Sequence, residues 1–261
     1  MKTHLLLFIV LLITAPVVAQ TTGSIPNPFG YEGDINQLDD KNHKQGLWEE
    51  MNGRYKSFGW YMNDQKEGNW VSYFPNGIVN RLEEYKNGKL NGVVLEIDQR
   101  GYFTREEHFK EGKLHGNTKT FNRGATLAQE GNYFEGVLHG IQRSYYSNLP
   151  GKVLEEGYYS MGVKDGPSRW FGTNGNLIAE YNYSNGQFHG INKTFYENGS
   201  LMIEERFVED QPVGEYFEYH QNGMVKIKGS YEAGLKEGKW YTYDETGKEI
   251  SVQKFSKGQE K

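Results

Sequence analysis

The chain has 261 residues, a formal net charge of −5 and no cysteine, so it carries neither disulfides nor thiolate chemistry. Its basic residues are scattered along the sequence. That argues against nucleic acid as a partner and makes membrane lipid a lesser candidate than protein. Glycine (33 residues) and aromatic residues (15%) are both frequent, which fits many short strands joined by tight turns.

Met1 to Ala19 reads as a secretory signal peptide, with Lys2 ahead of the apolar run LLLFIVLLI and small residues before a cut at Gln20. An uncleaved anchor is the alternative, although the run is short for a membrane span. The expected address is export, to the periplasm, the cell surface or the medium. Residues 20–35 are polar, contain Pro and Gly, and read as a flexible lead. Residues 36–258 read as about nine repeat units, and 259–261 as a tail.

The repeat is set by anchor glycines at 46, 68, 92, 116, 140, 166, 190, 214 and 238. Their steps are 22, 24, 24, 24, 26, 24, 24 and 24 residues, a period that marks a modular array. Seven residues before an anchor stands an aromatic: Tyr61, Tyr85, Phe109, Tyr133, Tyr159, Tyr183, Phe207 or Tyr231. Two residues after it, Trp48, Trp70, Tyr216 and Trp240 mark the terminal units, while Thr118, Gln142 and Asn192 hold that column in the middle. Gly recurs four before the anchor, with Asp210 as an exception.

Each unit reads as a hairpin. Asn76-Gly77 and Asn87-Gly88 are both expected to form type I′ turns, which need φ > 0 at both central residues. Centring the hairpin on the first pair sets each anchor glycine opposite the next aromatic, which would cover it. The same register pairs Phe121 with Ala128, Phe171 with Ile178, and Phe195 with Met202. It also predicts cross-strand ion pairs Lys119–Glu130, Arg143–Glu156, Arg169–Glu180 and Lys193–Glu204. The fold class is all-β: an elongated antiparallel β-hairpin meander of about eighteen strands after the signal peptide. At ~4.8 Å per strand it would run about 80–90 Å.

The pattern G-x-W-x-x-Y-x-x-x-G, then E-x-x-Y-x-x-G-x-x-x-G, is carried by Gly68, Trp70, Tyr73, Gly77, Glu83, Tyr85, Gly88 and Gly92. It resembles the MORN repeat, and more closely the variant MORN repeats of bacterial YwqK-family antitoxins. The resemblance implies an elongated sheet of hairpins used as an interaction scaffold. The antitoxin label implies neutralising a toxin by binding it.

Three columns invite chemistry. His115, His139 and His189 precede anchors, but stacked two strands apart at about 10 Å they cannot share one metal ion. They read as turn-flanking residues. Glu106, Glu130, Glu156, Glu180 and Glu204 form a carboxylate column whose spacing falls just beyond that of glycosidase pairs, and a structural role is expected. The aromatic columns read mainly as packing, while exposed Tyr and Trp are the best binding candidates. No catalytic, metal or cofactor residue is assigned. The expected function is an exported, non-enzymatic scaffold for protein or another polymer. Toxin neutralisation and carbohydrate binding on the aromatic face are the alternatives.

Overall fold

The computed structural model describes residues 25–261, and the signal-peptide reading lies outside them. Residues 25–32 fall in a unit separate from Gly33–Lys261. In that segment the Asn27 side chain accepts from Phe29 N–H (3.1 Å) and donates to the Tyr31 carbonyl (2.9 Å).

Gly33–Lys261 is one open antiparallel sheet in which each strand pairs with the next in the chain. No helix occurs among the described residues. The sheet has 23 strand segments. Three strands are interrupted just before an anchor glycine, as where Lys89–Leu90 leads into Gly92–Ile97. Two short end segments, Gln37–Leu38 and Gln259–Glu260, complete the count. Joining the interrupted strands and setting the ends aside leaves the expected eighteen.

Eight anchor glycines face the predicted aromatic, from Gly46↔Tyr61 through Gly116↔Tyr133 to Gly214↔Tyr231, and the ninth, Gly238, faces Phe255. The reason for glycine is different from the expected aromatic cover. Each anchor sits at φ between 65° and 133°, and a side chain at Gly68 would meet nothing within 4 Å. In most hairpins the register also breaks at the anchor on its other side, as between Phe58 and Trp60. The anchor is a bulge residue that needs positive φ, and the bulge bends and twists each strand.

The two kinds of turn differ. Asn87-Gly88 is type I′, with φ of 50° and 73°. Eight other hairpins close the same way, Asn63-Asp64 and Glu209-Asp210 among them. At Asn76-Gly77 the expectation fails. Only Gly77 has positive φ (83°), Gly77 N–H donates to the Phe74 carbonyl (2.9 Å), and Phe74 N–H donates to the Ile78 carbonyl (2.8 Å). This is a type I turn followed by a left-handed glycine. Pro75, whose ring holds φ negative, suits the first central position of this type I turn. Beyond this turn a bulge between Ser72 and Tyr73 absorbs one residue. The same bulge recurs and corrects three predicted pairs by one position: Phe121 faces Leu127, Phe171 faces Leu177, and Phe195 faces Leu201.

Units are stapled along the type I′ edge. Gly88 N–H donates to the Lys66 carbonyl (2.9 Å), Gly112 to Leu90 (2.8 Å), and Gly186 to Lys164 (2.8 Å). The Asp exceptions compensate for the missing glycine. Asp210 N–H reaches the Phe188 carbonyl (3.1 Å), while its carboxylate accepts from Phe188 N–H (2.7 Å). On the opposite edge, Tyr146 and Tyr196 hydroxyls donate to the Phe171 and Tyr219 carbonyls, both at 2.7 Å. The most buried apolar residues, Leu47, Phe58, Trp70, Val71 and Val94, lie in the N-terminal half.

Candidate functional site

Side chains fall in rows across the strands. One row joins the position two after each anchor to the residue opposite it, a glycine or an acid in most units: Trp48↔Gly59, Trp70↔Glu83, Val94↔Glu107, Thr118↔Gly131. At its ends this row is an aromatic core. Trp70 packs edge-on against Tyr61 (5.2 Å) and Tyr85 (6.4 Å), with Lys66 Nζ 3.8 Å over its ring. Trp240 repeats the arrangement with Tyr231 (5.1 Å), Phe255 (6.2 Å) and Lys236 Nζ (4.1 Å). Both indoles are buried, at 1% and 5% exposure. The expectation that exposed tryptophans would offer the binding surface is therefore corrected for these two rings.

The middle of the row is polar because its side chains satisfy backbone and charged groups. Asn192 Oδ1 accepts from Asn182 N–H (2.7 Å), and Thr118 Oγ1 donates to the Gly131 carbonyl (3.3 Å). Ser168 Oγ lies 3.3 Å from Glu155 Oε1 and 3.2 Å from Lys164 Nζ, and Lys164 pairs with Glu155 at 2.9 Å. Burial disfavours the Lys164 ammonium, but its hydrogen bond to Glu155 and the negative charge of that carboxylate together outweigh burial and raise its pKa. Lys164 therefore stays protonated and cannot act as a base toward Ser168. Glu205, beside Tyr216 in the same row, is pushed up by burial. Between the aromatic ends lies a depression of about 190 Å³ lined by Arg105, Glu107, Thr118, Gln129, Tyr133 and Gln142 among others.

The glutamate column lies three residues into the next anchor strand's register and forms a charge ladder. Arg143 reaches Glu156 at 2.7 Å and Glu130 at 3.1 Å; Arg169 reaches Glu180 at 2.7 Å and Glu156 at 3.6 Å; Lys193 reaches Glu204 at 3.0 Å. Three of the four predicted ion pairs form. The fourth is corrected: Lys119 stands opposite Glu130 but its ammonium pairs with Glu106 at 3.3 Å. Both acids flank Lys119 in the sheet, and Arg143 with the Tyr145 hydroxyl (2.7 Å) already holds Glu130. Burial pushes the Glu130 carboxyl up, but those two hydrogen bonds outweigh it and leave it below the usual range.

The histidine column belongs to the turn staples. In five units the side chain before the anchor accepts from the first left-handed amide of the next type I′ turn. Glu67 takes Asn87 N–H (2.8 Å), Asn91 takes Glu111 N–H (3.3 Å), and Asp165 takes Asn185 N–H (3.3 Å). His139 Nδ1 takes Met161 N–H at 3.4 Å, and His115 Nδ1 lies 3.9 Å from Glu135. His115 and His139 also flank the Phe134 ring at 5.3 and 6.2 Å. This is the turn-flanking role expected for the column.

The large apolar side chains that do stand exposed include Phe134 (49%), Tyr158 (41%), Met161 (60%) and Val163 (46%). Sequence reading missed this group, because none of these residues stands in an aromatic column that defines the repeat.

The MORN repeat variant model matches residues 66–87, 164–185, 188–209 and 212–233. No curated protein matches the chain. The matched segments each run from two before an anchor glycine to its following type I′ turn, and such repeats are modules for binding protein or membrane. Over these four segments the chain matches the MORN repeat variant, each segment folded as a hairpin of one continuous antiparallel sheet.

Proposed function

We propose that this protein is an exported, non-enzymatic scaffold that binds a partner protein at the cell envelope. The observation that carries the reading is how the repeated polar columns are used. The glutamates of five units, and polar residues such as Glu67, Asn91, His139 and Asp165 before the anchors, are used in joining one hairpin to the next. What the repeats leave over is a non-repeating set of exposed side chains on a stiff ribbon, and such sets distinguish partners. The N-terminal sequence Met1 to Ala19 supports export.

The test is cross-linking in the native cell, followed by mass spectrometry of the envelope fraction. A recurrent protein partner supports the scaffold; a chain that stays in the cytoplasm, or cross-links to nothing, overturns it. Toxin neutralisation is a special case of the same binding. It requires that co-expression with a toxic neighbouring gene product restores growth.

A further inference from the structure

The type I′ edge brings together residues that are far apart in sequence. Position six before an anchor and position three before it face each other across each turn. In consecutive hairpins these pairs are Lys86↔Lys89, Lys110↔Lys113, Phe134↔Val137 and Ser160↔Val163, with Met161 at the tip of the last. Four lysines are therefore followed along one edge by an exposed apolar group.

Neither half of this strip is explained by folding. Like charges directly opposite one another destabilise a hairpin, yet two neighbouring hairpins carry them. Among the described residues Lys86, Lys89 and Lys110 form no ion pair, while Lys113 meets Glu135 at 3.1 Å. Glu111 stands at the second turn tip and helps to line an open recess of about 480 Å³ with Lys86, Lys89 and Lys110. Met161 is 60% exposed at φ 47°, where Asn87 and Asn185 occupy the equivalent turn position. A left-handed conformation strains methionine more than asparagine.

We infer that this strip is the docking line for a segment of a partner protein with acidic residues at one end and large apolar residues at the other. The inference rests on the protein-binding reading above and names its surface. Charge complementarity selects the acidic end, because three of the four lysines, Lys86, Lys89 and Lys110, form no ion pair among the described residues on a chain of net charge −5. Phe134, Val137, Met161 and Val163 select the apolar end. From the strand of Lys86 to that of Val163 the line crosses seven strand spacings, about 34 Å. An extended segment of about ten residues spans it.

The test uses a fluorescein-labelled peptide with four acidic residues followed by leucine and phenylalanine, and a scrambled peptide of the same composition. Polyphosphate and phosphatidylglycerol vesicles serve as other anions. The ordered peptide should bind at least about tenfold tighter than the scrambled one. The variants K86E/K89E and M161N should each weaken it several-fold, and M161N should melt at the same or a higher temperature. Equal binding of the scrambled peptide overturns the proposal, as does binding confined to polyphosphate or vesicles. A fall in melting temperature of both variants overturns it too, since the residues would then serve the fold. If native cross-linking still recovers the same partner with K86E/K89E/M161N, this surface is wrong and the scaffold reading stands.

Discussion

Gly59→Ala tests whether the buried indole row holds the N-terminal units together. Gly59 has ordinary backbone angles, so glycine is not needed there for conformation. It is needed for space: an added Cβ would lie 2.0 Å from Trp70 Cδ2 and 2.2 Å from Cε2. Carbon contacts sit near 3.5–4.0 Å, so the ring must move out by about 1.5 Å or more. Tyr61 and Tyr85 stand against its faces and edges and Lys66 covers it, which leaves outward displacement as the only relief. Re-exposing about half of a tryptophan's roughly 200 Å² forfeits about 2.5 kcal/mol, and the lost edge-to-face contacts add about 1 kcal/mol. Gly59→Ala should therefore cost about 3.5 kcal/mol in urea unfolding followed by tryptophan fluorescence. Gly68→Ala, with open space but φ of 65°, should cost about 1–2 kcal/mol through backbone strain alone. In a Trp70→Val background the Gly59→Ala penalty should nearly vanish while the Gly68→Ala penalty stays. A neutral Gly59→Ala, or an unchanged penalty without the indole, would refute the reasoning.

Three more predictions use groups on the same ribbon. Glu130 has a folded pKa held below its ordinary 4.5 by Tyr145 and Arg143 against the opposing effect of burial. Its contribution is thus present at neutral pH and lost as pH falls from about that value through the folded one; Glu130→Gln should flatten this part of a stability profile measured between pH 6 and 3. Glu205 has the opposite sign, since burial raises its folded pKa. The charged form costs the fold, so Glu205→Gln should raise the urea midpoint at pH 7, and the gain should disappear below the ordinary carboxylate range. At Asp210, φ of 63° and the bond from Phe188 N–H make Ala doubly unsuitable. Asp210→Ala should cost about 1–2 kcal/mol, and Asp210→Gly less than half of that, by the same denaturation assay.

The anchor register was legible because one physical demand repeats without exception. A bulge residue at positive φ calls for glycine, and nine glycines in phase fix where strands begin and which aromatic each one faces. The bulge beyond each type I turn was not legible. It takes up a residue in every hairpin after the first, so comparing those units with one another does not show it, and pairs such as Phe121 facing Leu127 instead of Ala128 reveal it. The Lys119 pairing failed for a related reason. A column of alternating charge tells which residues share a row, but an ammonium between two carboxylates goes to the one not already held, and Arg143 holds Glu130.

The lysine–apolar strip shows what a repeat can conceal. Lys86, Lys89, Lys110 and Lys113 look scattered in the sequence because the eye groups neighbours along the chain. The turn brings residues three apart face to face, and the stacking of hairpins brings residues 24 apart side by side. Reading down the columns six and three before each anchor collects all four, then Phe134 and Val137, then Val163. In a ribbon whose recurring residues are spent on joining one hairpin to the next, the columns that fail to recur are the ones in which to look for a partner.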